Sequence, residues 1–185
     1  MNLPNKLSML RICMIPFFVA FAMMGAFWAQ LLAVIIYIVA CITDALDGHI
    51  ARSQGLVTNF GKFMDPIADK LLVMSALIIL VSQGRMPAWV CILMLAREFL
   101  ISGFRLVAAE TGKVIAAGSL GKLKTIFQMI STIAILLLVP VNGSAAILGK
   151  FGIVVSNALM YIALVLTVVS GVDYILRNRE CIGDM

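Results

Sequence analysis

Apolar residues run along this chain in six long stretches separated by short polar interruptions. The first, Ile12 to about Gln30, follows Lys6 and Arg11, and the second, Leu31 to about Ile50, carries Asp44 and Asp47 in its last turns. A polar loop, Ser53 to Asn59, leads to a third stretch from about Phe60 to Ser82. Gln83-Gly84-Arg85-Met86-Pro87 reads as a turn, because Pro87 suits the first turn of a following helix. The fourth stretch covers Ala88 to about Ala109, and the fifth covers Leu120 to Val139, after Thr111-Gly112-Lys113 and Gly118-Ser119. Pro140, Asn142 and Gly143 break it, and the sixth runs from about Phe151 to Leu176. A bilayer crossing needs about 20 mostly apolar residues, so each stretch predicts a transmembrane helix. No alternating pattern competes for a strand. The expected fold is an all-α integral membrane protein, a six-transmembrane-helix bundle forming one domain over residues 1–185.

Composition agrees. The 185 residues are 63% hydrophobic and 12% charged, with mean hydropathy +1.10, whereas a soluble domain is about half apolar and a quarter charged. That excludes disorder and leaves little material for a water-exposed surface. The basic start and Ala20-Phe21-Ala22 imitate a secretory signal, but the apolar character resumes where a polar mature domain would have to begin. Cys13, Cys41, Cys91 and Cys181 form no CxxC pair, and three lie inside apolar runs, as small hydrophobes do.

The net charge of +5 is informative by position. No solvated basic face with interleaved aromatics exists, which argues against a nucleic-acid partner. Lys6, Arg11, Arg52, Lys62, Lys113, Lys122, Lys124, Arg177 and Arg179 fall on the side of the termini, and only Arg85 and Lys150 on the other. Basic loops stay inside. Both termini, the Asp44–Asp69 segment and the Lys122 loop are therefore expected in the cytoplasm, on a multi-pass protein of the cell membrane.

Four of the nine acidic residues crowd between Asp44 and Asp69. Acids near membrane depth are costly, and function is the default reason to keep them. Asp44 and Asp47 are spaced i,i+3, and Asp65 and Asp69 i,i+4, so each pair stacks on one helix face. Two helices joined by a short loop are antiparallel neighbours, which lets the pairs meet across one crevice. Four facing carboxylates need neutralising, and two divalent cations supply the matching charge. Hard oxygen ligands favour Mg²⁺ or Mn²⁺ over zinc. Paired metals about 3.5–4 Å apart serve phosphoryl transfer. Gly48 and Gly61 allow close backbone approach to a bulky ligand, and the forked Arg52 suits a phosphate oxygen. Ion pairing with Arg52, Lys62 and Lys70 would explain one or two of the acids but not two in-register pairs. A cation or proton path would spread its acids through the membrane depth, whereas these cluster at one end.

Asp44-Ala-Leu-Asp47-Gly48-His-Ile-Ala51-Arg52, then eight residues, then Gly61-Lys-Phe-Met-Asp65-Pro-Ile-Ala-Asp69, resembles the complete signature of the CDP-alcohol phosphotransferases. The resemblance implies a six-helix membrane enzyme that takes CDP-diacylglycerol or a CDP-alcohol and releases CMP. It implies that Asp44 and Asp65 bridge two metals, that Asp47 completes one and Asp69 the other, and that Asp69 is also the base for the acceptor hydroxyl. Gly48, Ala51 and Arg52 would contact the CDP portion, with Thr58 near the nucleotide. The segment Pro4-Asn5-Lys6-Leu7-Ser8, through Arg11, is similar to the family's amino-terminal interfacial lead-in, which brings Asn5 and Ser8 to the same pocket. The family likeness also implies a homodimer.

The signature leaves the acceptor open. Arg97-Glu98-Phe-Leu-Ile-Ser102-Gly-Phe-Arg105 sets two arginines two turns apart on one face, and Gly121-Lys122-Leu-Lys124-Thr125-Ile-Phe-Gln128 opens the fifth helix with two lysines. Basic side chains at a helix N-terminus suit a phosphate dianion. These segments, with Phe63 to Lys70, resemble the bacterial members of the family that form phosphatidylglycerophosphate, and the likeness runs from Pro4 to Gln128. The expected acceptor is glycerol 3-phosphate, its phosphate held by Arg97, Arg105, Lys122 and Lys124. Serine, inositol or phosphatidylglycerol are the alternative acceptors, and a non-enzymatic cation or proton carrier is the alternative class. Lysines 122 and 124 also fit a topological anchor, but that does not account for Arg97 and Arg105 within a span. Glu98 reads as a partner for a neighbouring arginine, and Asp173 with Arg177 as a solvated i,i+4 pair.

Overall fold

The backbone of residues 3–54, 59–110, 118–139 and 148–178 is described by a computed structural model, with side chains throughout except at 3–5, 45–54, 59–63, 65–66 and 109–110. The described residues form six α-helices: α1 (Leu3–Met23), α2 (Phe27–Gln54), α3 (Asn59–Ser82), α4 (Ala88–Glu110), α5 (Ser119–Leu138) and α6 (Gly149–Arg177). No strand occurs among them. Lengths and hydropathy qualify α1, α2, α5 and α6 as candidate membrane spans. Helices α3 and α4 are as long but interrupt their apolar runs with Asp65, Asp69 and Lys70, and with Arg97, Glu98 and Arg105. The charges that lower their hydropathy are the candidate site itself.

The start of the chain departs from expectation. The first apolar run extends from Ile12 to about Gln30, but α1 begins at Leu3 and stops at Met23, and α2 begins at Phe27. Gly25 has φ +71°, a left-handed conformation that other residues adopt at a cost, and it ends the helix inside an unbroken hydrophobic stretch. The amino-terminal lead-in is correspondingly continuous with α1 and forms no separate element. The remaining boundaries fall within a few residues of the apolar runs, α2 continuing four residues past Ile50 to Gln54.

Among the described residues, helix α1 packs extensively on both α2 and α3, whereas α2 and α3 touch only slightly. The α1–α2 seam is made close by small side chains: Ala29, Ala33 and Ala40 are fully buried beside Tyr37, at the three- and four-residue intervals of one helix face. Phe18 of α1 lies against Tyr37, ring centroids 5.6 Å apart. Helix α5 pairs with α6, which also receives α4. Leu72, Ala76, Leu77 and Leu80 of α3 meet Met94, Ile135 and Met160 in the common core. Cys41 and Cys91 pack there as hydrophobes, and both are free thiols.

The outer surface carries Phe17, Trp28, Ile92, Leu106, Phe151 and Val165, each more than half exposed. Such a belt suits lipid and would be a liability in water. Hydroxyls within the helices bond back to the preceding turn, as Thr132 does to the Gln128 carbonyl and Thr167 to that of Ala163. In an apolar surround a polar group needs such a partner. Ser156 also reaches the Ala134 carbonyl at 3.2 Å and links α6 to α5.

At one end of the bundle the α3–α4 turn inserts Arg85, which is 6% exposed. Its Nη2 donates to the carbonyls of Ile135, Leu136 and Val139, and its Nη1 to Gln83 Oε1. These carbonyls close α5, where the Ile135 oxygen already accepts the Val139 N–H at 3.1 Å, and a cation there serves the carbonyls at the helix end and opposes the negative end of the helix dipole. Gln30 Nε2 adds a second bond to Leu136, and Gln83 Nε2 ties the turn to Ala22 of α1. Burial lowers the pKa of Arg85 to about 10, which leaves it charged at neutral pH.

Candidate functional site

The opposite end of the bundle collects the acids. Helix α2 carries Asp44, Asp47, Gly48, Ala51 and Arg52 on one continuous backbone, and α3 carries Asp65 and Asp69. Of these side chains, those of Asp44 and Asp69 are described; those of Asp47, Gly48, Ala51, Arg52 and Asp65 lie outside the described ones, as does that of Asn5. Thr58 lies outside the described residues altogether.

Asp44 accepts an ion pair from Arg11 Nη1 at 2.6 Å, with the arginine fully buried. Ser8, one turn earlier on α1, is fully buried as well. The first helix therefore turns a polar face to the acids, and Arg11 holds one of them in place. Only a general basic-residue role in orientation and lead-in was legible for Arg11. Its signal in the sequence is its position at the head of an apolar run, where a free arginine would be costly.

Asp69 stands in the electrostatic field of Asp44, so carboxylates from two helices share one region and repel. Oxygen-only donors under mutual repulsion are the chemistry that a hard divalent cation stabilises, and the residues present fit such an ion. Among the described residues no group of three potential ligands assembles, two of the four signature acids being outside the described side chains.

Beside Asp69 opens a cavity of about 660 Å³ between α3, α4 and α5. Its walls include Asp69 and Lys70, Arg97, Ser102 and Arg105, and Lys122, Thr125 and Gln128. Three of the four cations expected to hold a phosphate, Arg97, Arg105 and Lys122, thus line one space with Asp69. Lys124 does not line it. Its side chain is 1% exposed and its amine is bonded to Glu98, whose carboxylate also lies 3.8 Å from Arg97 Nη1. The two lysines, two positions apart, consequently differ: Lys122 is exposed on the cavity side and Lys124 joins α5 to α4.

Both arginines are braced from behind by α6. Arg97 Nη2 donates to Ser170 Oγ at 3.1 Å. A Cβ at Gly171 would sit 3.1 Å from Arg97 Cγ, so the glycine makes room for the arginine stem. Arg105 Nε donates to the Tyr174 hydroxyl at 3.3 Å, and its guanidinium carbon lies 5.2 Å from the centre of that ring. Phe104 packs edge-on against Tyr174, centroids 5.8 Å apart. Stacking and a single hydrogen bond fix the plane of a guanidinium while leaving other donors available. Ser170, Gly171 and Tyr174 lie in a stretch where the sequence offers only apolar spacing. The signal they leave is a polar or small residue at each turn, 167, 170, 171 and 174, in an otherwise aliphatic helix.

Comparison with known proteins bears on the same residues. The family model described as CDP-alcohol phosphatidyltransferase matches residues 1–169. A Bacillus subtilis strain 168 protein named CDP-diacylglycerol--glycerol-3-phosphate 3-phosphatidyltransferase is 42% identical, over 98% of this chain and 97% of its own length. A protein of the same name from Rickettsia typhi is 40% identical over 94% of each chain. A Mycobacterium tuberculosis H37Rv protein named probable phosphatidylglycerophosphate synthase is 40% identical over 98% of this chain and 84% of its own. Its helices, its spaced aspartates and this match over most of its length place one conclusion beyond the resemblance: the chain belongs to the CDP-alcohol phosphatidyltransferase family.

Proposed function

We propose that this protein transfers the phosphatidyl group of CDP-diacylglycerol to glycerol 3-phosphate, forming phosphatidylglycerophosphate and CMP. The observation that carries this reading is the cavity in which Asp69 shares walls with Arg97, Arg105 and Lys122. A proton acceptor next to three cations suits an alcohol that bears a phosphate. A neutral or zwitterionic alcohol has no use for so much positive charge. The printed names of the Bacillus and Rickettsia relatives support the same acceptor.

The residues divide the work as follows. Arg97 and Arg105, held by Ser170 and Tyr174, and Lys122 bind the acceptor phosphate and orient its free primary hydroxyl toward Asp69. Lys124 contributes through Glu98, setting the charge beside Arg97. Asp69 takes the hydroxyl proton as the oxygen attacks the lipid-bearing phosphorus, and the phosphoanhydride bond to CMP breaks. Gly48, Ala51, Arg52 and Thr58, with Asn5 and Ser8 from α1, contact the CDP portion. Asp44, Asp47, Asp65 and Asp69 would hold two Mg²⁺ or Mn²⁺ ions, which supply neutralisation of the diphosphate and of the charge developing on CMP. Arg11 keeps the Asp44 carboxylate directed into the site.

All six helices cross the bilayer in this reading, as one domain. Basic residues concentrate on the side of the termini, so the termini and the site face the cytoplasm of the cell membrane. The headgroup of the lipid then enters from the inner leaflet while its acyl chains stay among the exposed apolar side chains. A homodimer packed through membrane helices completes the assembly.

The test is CMP release by purified full-length protein in mixed micelles of CDP-diacylglycerol. Release is expected to require glycerol 3-phosphate, to stop on chelation and to return with Mg²⁺. Release driven by serine or inositol instead overturns the acceptor assignment, and ion flux across vesicles without CMP release supports a carrier.

A further inference from the structure

Among the described residues, Gln128 is the one cavity-lining amide, it has no assigned task, and it is buried. It lies on α5, on the face that also carries Lys122 and Thr125 into the cavity. The residue is 3% exposed, and neither its Nε2 nor its Oε1 has a hydrogen-bond partner. A buried carboxamide with both ends unpaired is costly and uncommon in a native fold. Three other polar side chains of α5 have found partners: Thr125 bonds the Gly121 carbonyl, Thr132 bonds the carbonyl of Gln128, and Lys124 bonds Glu98. Gln128 thus holds a donor and an acceptor without protein partners just behind a wall of the site, within a side-chain rotation of the cavity.

The chemistry of the acceptor supplies the matching group. In glycerol 3-phosphate the phosphate belongs with the cations and the primary hydroxyl with Asp69. What remains is the secondary hydroxyl at C2, which is neutral and both donates and accepts one hydrogen bond. A carboxamide offers the complementary pair of atoms. Six residues separate Lys122 from Gln128, a rise of about 9 Å along the helix, so phosphate and polyol ends are read by successive parts of one helix face.

We infer that Gln128 is a specificity-determining residue that hydrogen-bonds the C2 hydroxyl of the acceptor. The inference rests on the glycerol 3-phosphate reading above. A site built to bond a hydroxyl rejects the analogue lacking it, because its own polar groups are left unpaired.

The experiment compares glycerol 3-phosphate with 3-hydroxypropyl phosphate, which keeps the primary hydroxyl and the phosphate and lacks the C2 hydroxyl. Full-length wild type is expected to prefer glycerol 3-phosphate by roughly tenfold or more in kcat/KM. Gln128→Met, of similar volume and unable to hydrogen-bond, should lose about tenfold on glycerol 3-phosphate while keeping its rate on the analogue, so that the preference disappears. Turnover of the analogue reports that the variant is folded, and Gln128→Asn, which keeps the amide, should recover part of the preference. Equal losses on both alcohols in these variants, or a wild type that does not discriminate, overturn the inference. Absence of any glycerol 3-phosphate-dependent CMP release by the wild type counts against the parent reading instead, which separates the two failures.

Discussion

Arg85 and the Arg97–Arg105 pair sit toward opposite ends of the bundle, and the polar groups around them are used in opposite ways. Around Arg85 the guanidinium nitrogens are turned onto the protein itself: three carbonyls that close α5 receive Nη2 and Gln83 receives Nη1, while Gln83 ties the turn to α1 and Gln30 ties α2 to the end of α5. Around Arg97 and Arg105 the protein braces one side of each cation with Ser170, Gly171 and Tyr174 and leaves the other side against an open cavity. Both regions bury arginine at least in part. Only the second sets its cations along an open cavity. A buried arginine therefore does not mark a ligand site until its partners are known, since capping a helix end is an equally good reason for its presence.

This contrast is most sharply tested by removing charge from each end in turn. Asp69→Asn should lower CMP release at least 100-fold, the range expected for loss of a positioned base, while the thermal unfolding midpoint in detergent stays near that of the wild type. A variant with more than a tenth of wild-type activity would remove Asp69 from the chemistry. Arg85→Met should do the reverse: about 2 kcal/mol of stability is lost as charge-assisted bonds to buried carbonyls disappear, with kcat/KM per folded molecule within about twofold. A stable Arg85→Met protein with an impaired acceptor KM would erase the distinction.

Smaller effects refine the cavity end. Arg105→Ala should raise the KM for glycerol 3-phosphate roughly tenfold and leave that for CDP-diacylglycerol unchanged; a shift in the liponucleotide KM would move Arg105 to the other substrate. Gly171→Ala puts a methyl 3.1 Å from Arg97 Cγ and should displace the guanidinium enough to raise the acceptor KM roughly threefold. Least affected is Asp173→Asn. It breaks an i,i+4 pair with an Arg177 that is 73% exposed, and chemical denaturation should register less than about 0.5 kcal/mol.

Helices α3, α4 and α5 begin and end within about a residue of their apolar runs, because a turn residue or a polar interruption borders each of them. The α1–α2 break was not legible, because Met23-Met24-Gly25-Ala26-Phe27 stays hydrophobic and the break depends on one backbone angle at Gly25. Arg97, Arg105 and Lys122 were legible as a cationic group, since their spacing along α4 and α5 is local. Lys124 looked the same as Lys122, and the difference between them depends on Glu98, 26 residues away. Arg11 and Tyr174 left weaker signals, a costly arginine at the head of an apolar run and a polar residue in an aliphatic helix, because each acquires its meaning from a side chain on another helix.

Hydropathy runs and i,i+3 or i,i+4 spacings are properties of a single helix, so membrane character, the six helices and the positions of the four aspartates can be read without coordinates. Which cations are spent and which stay open to a ligand is another kind of property. It depends on contacts such as Arg97 with Ser170 or Arg85 with Leu136, made across 73 and 51 residues. Chain spacing carries no record of those meetings; they arise only when α1 wedges against α2 and α3 and when α6 closes behind α4.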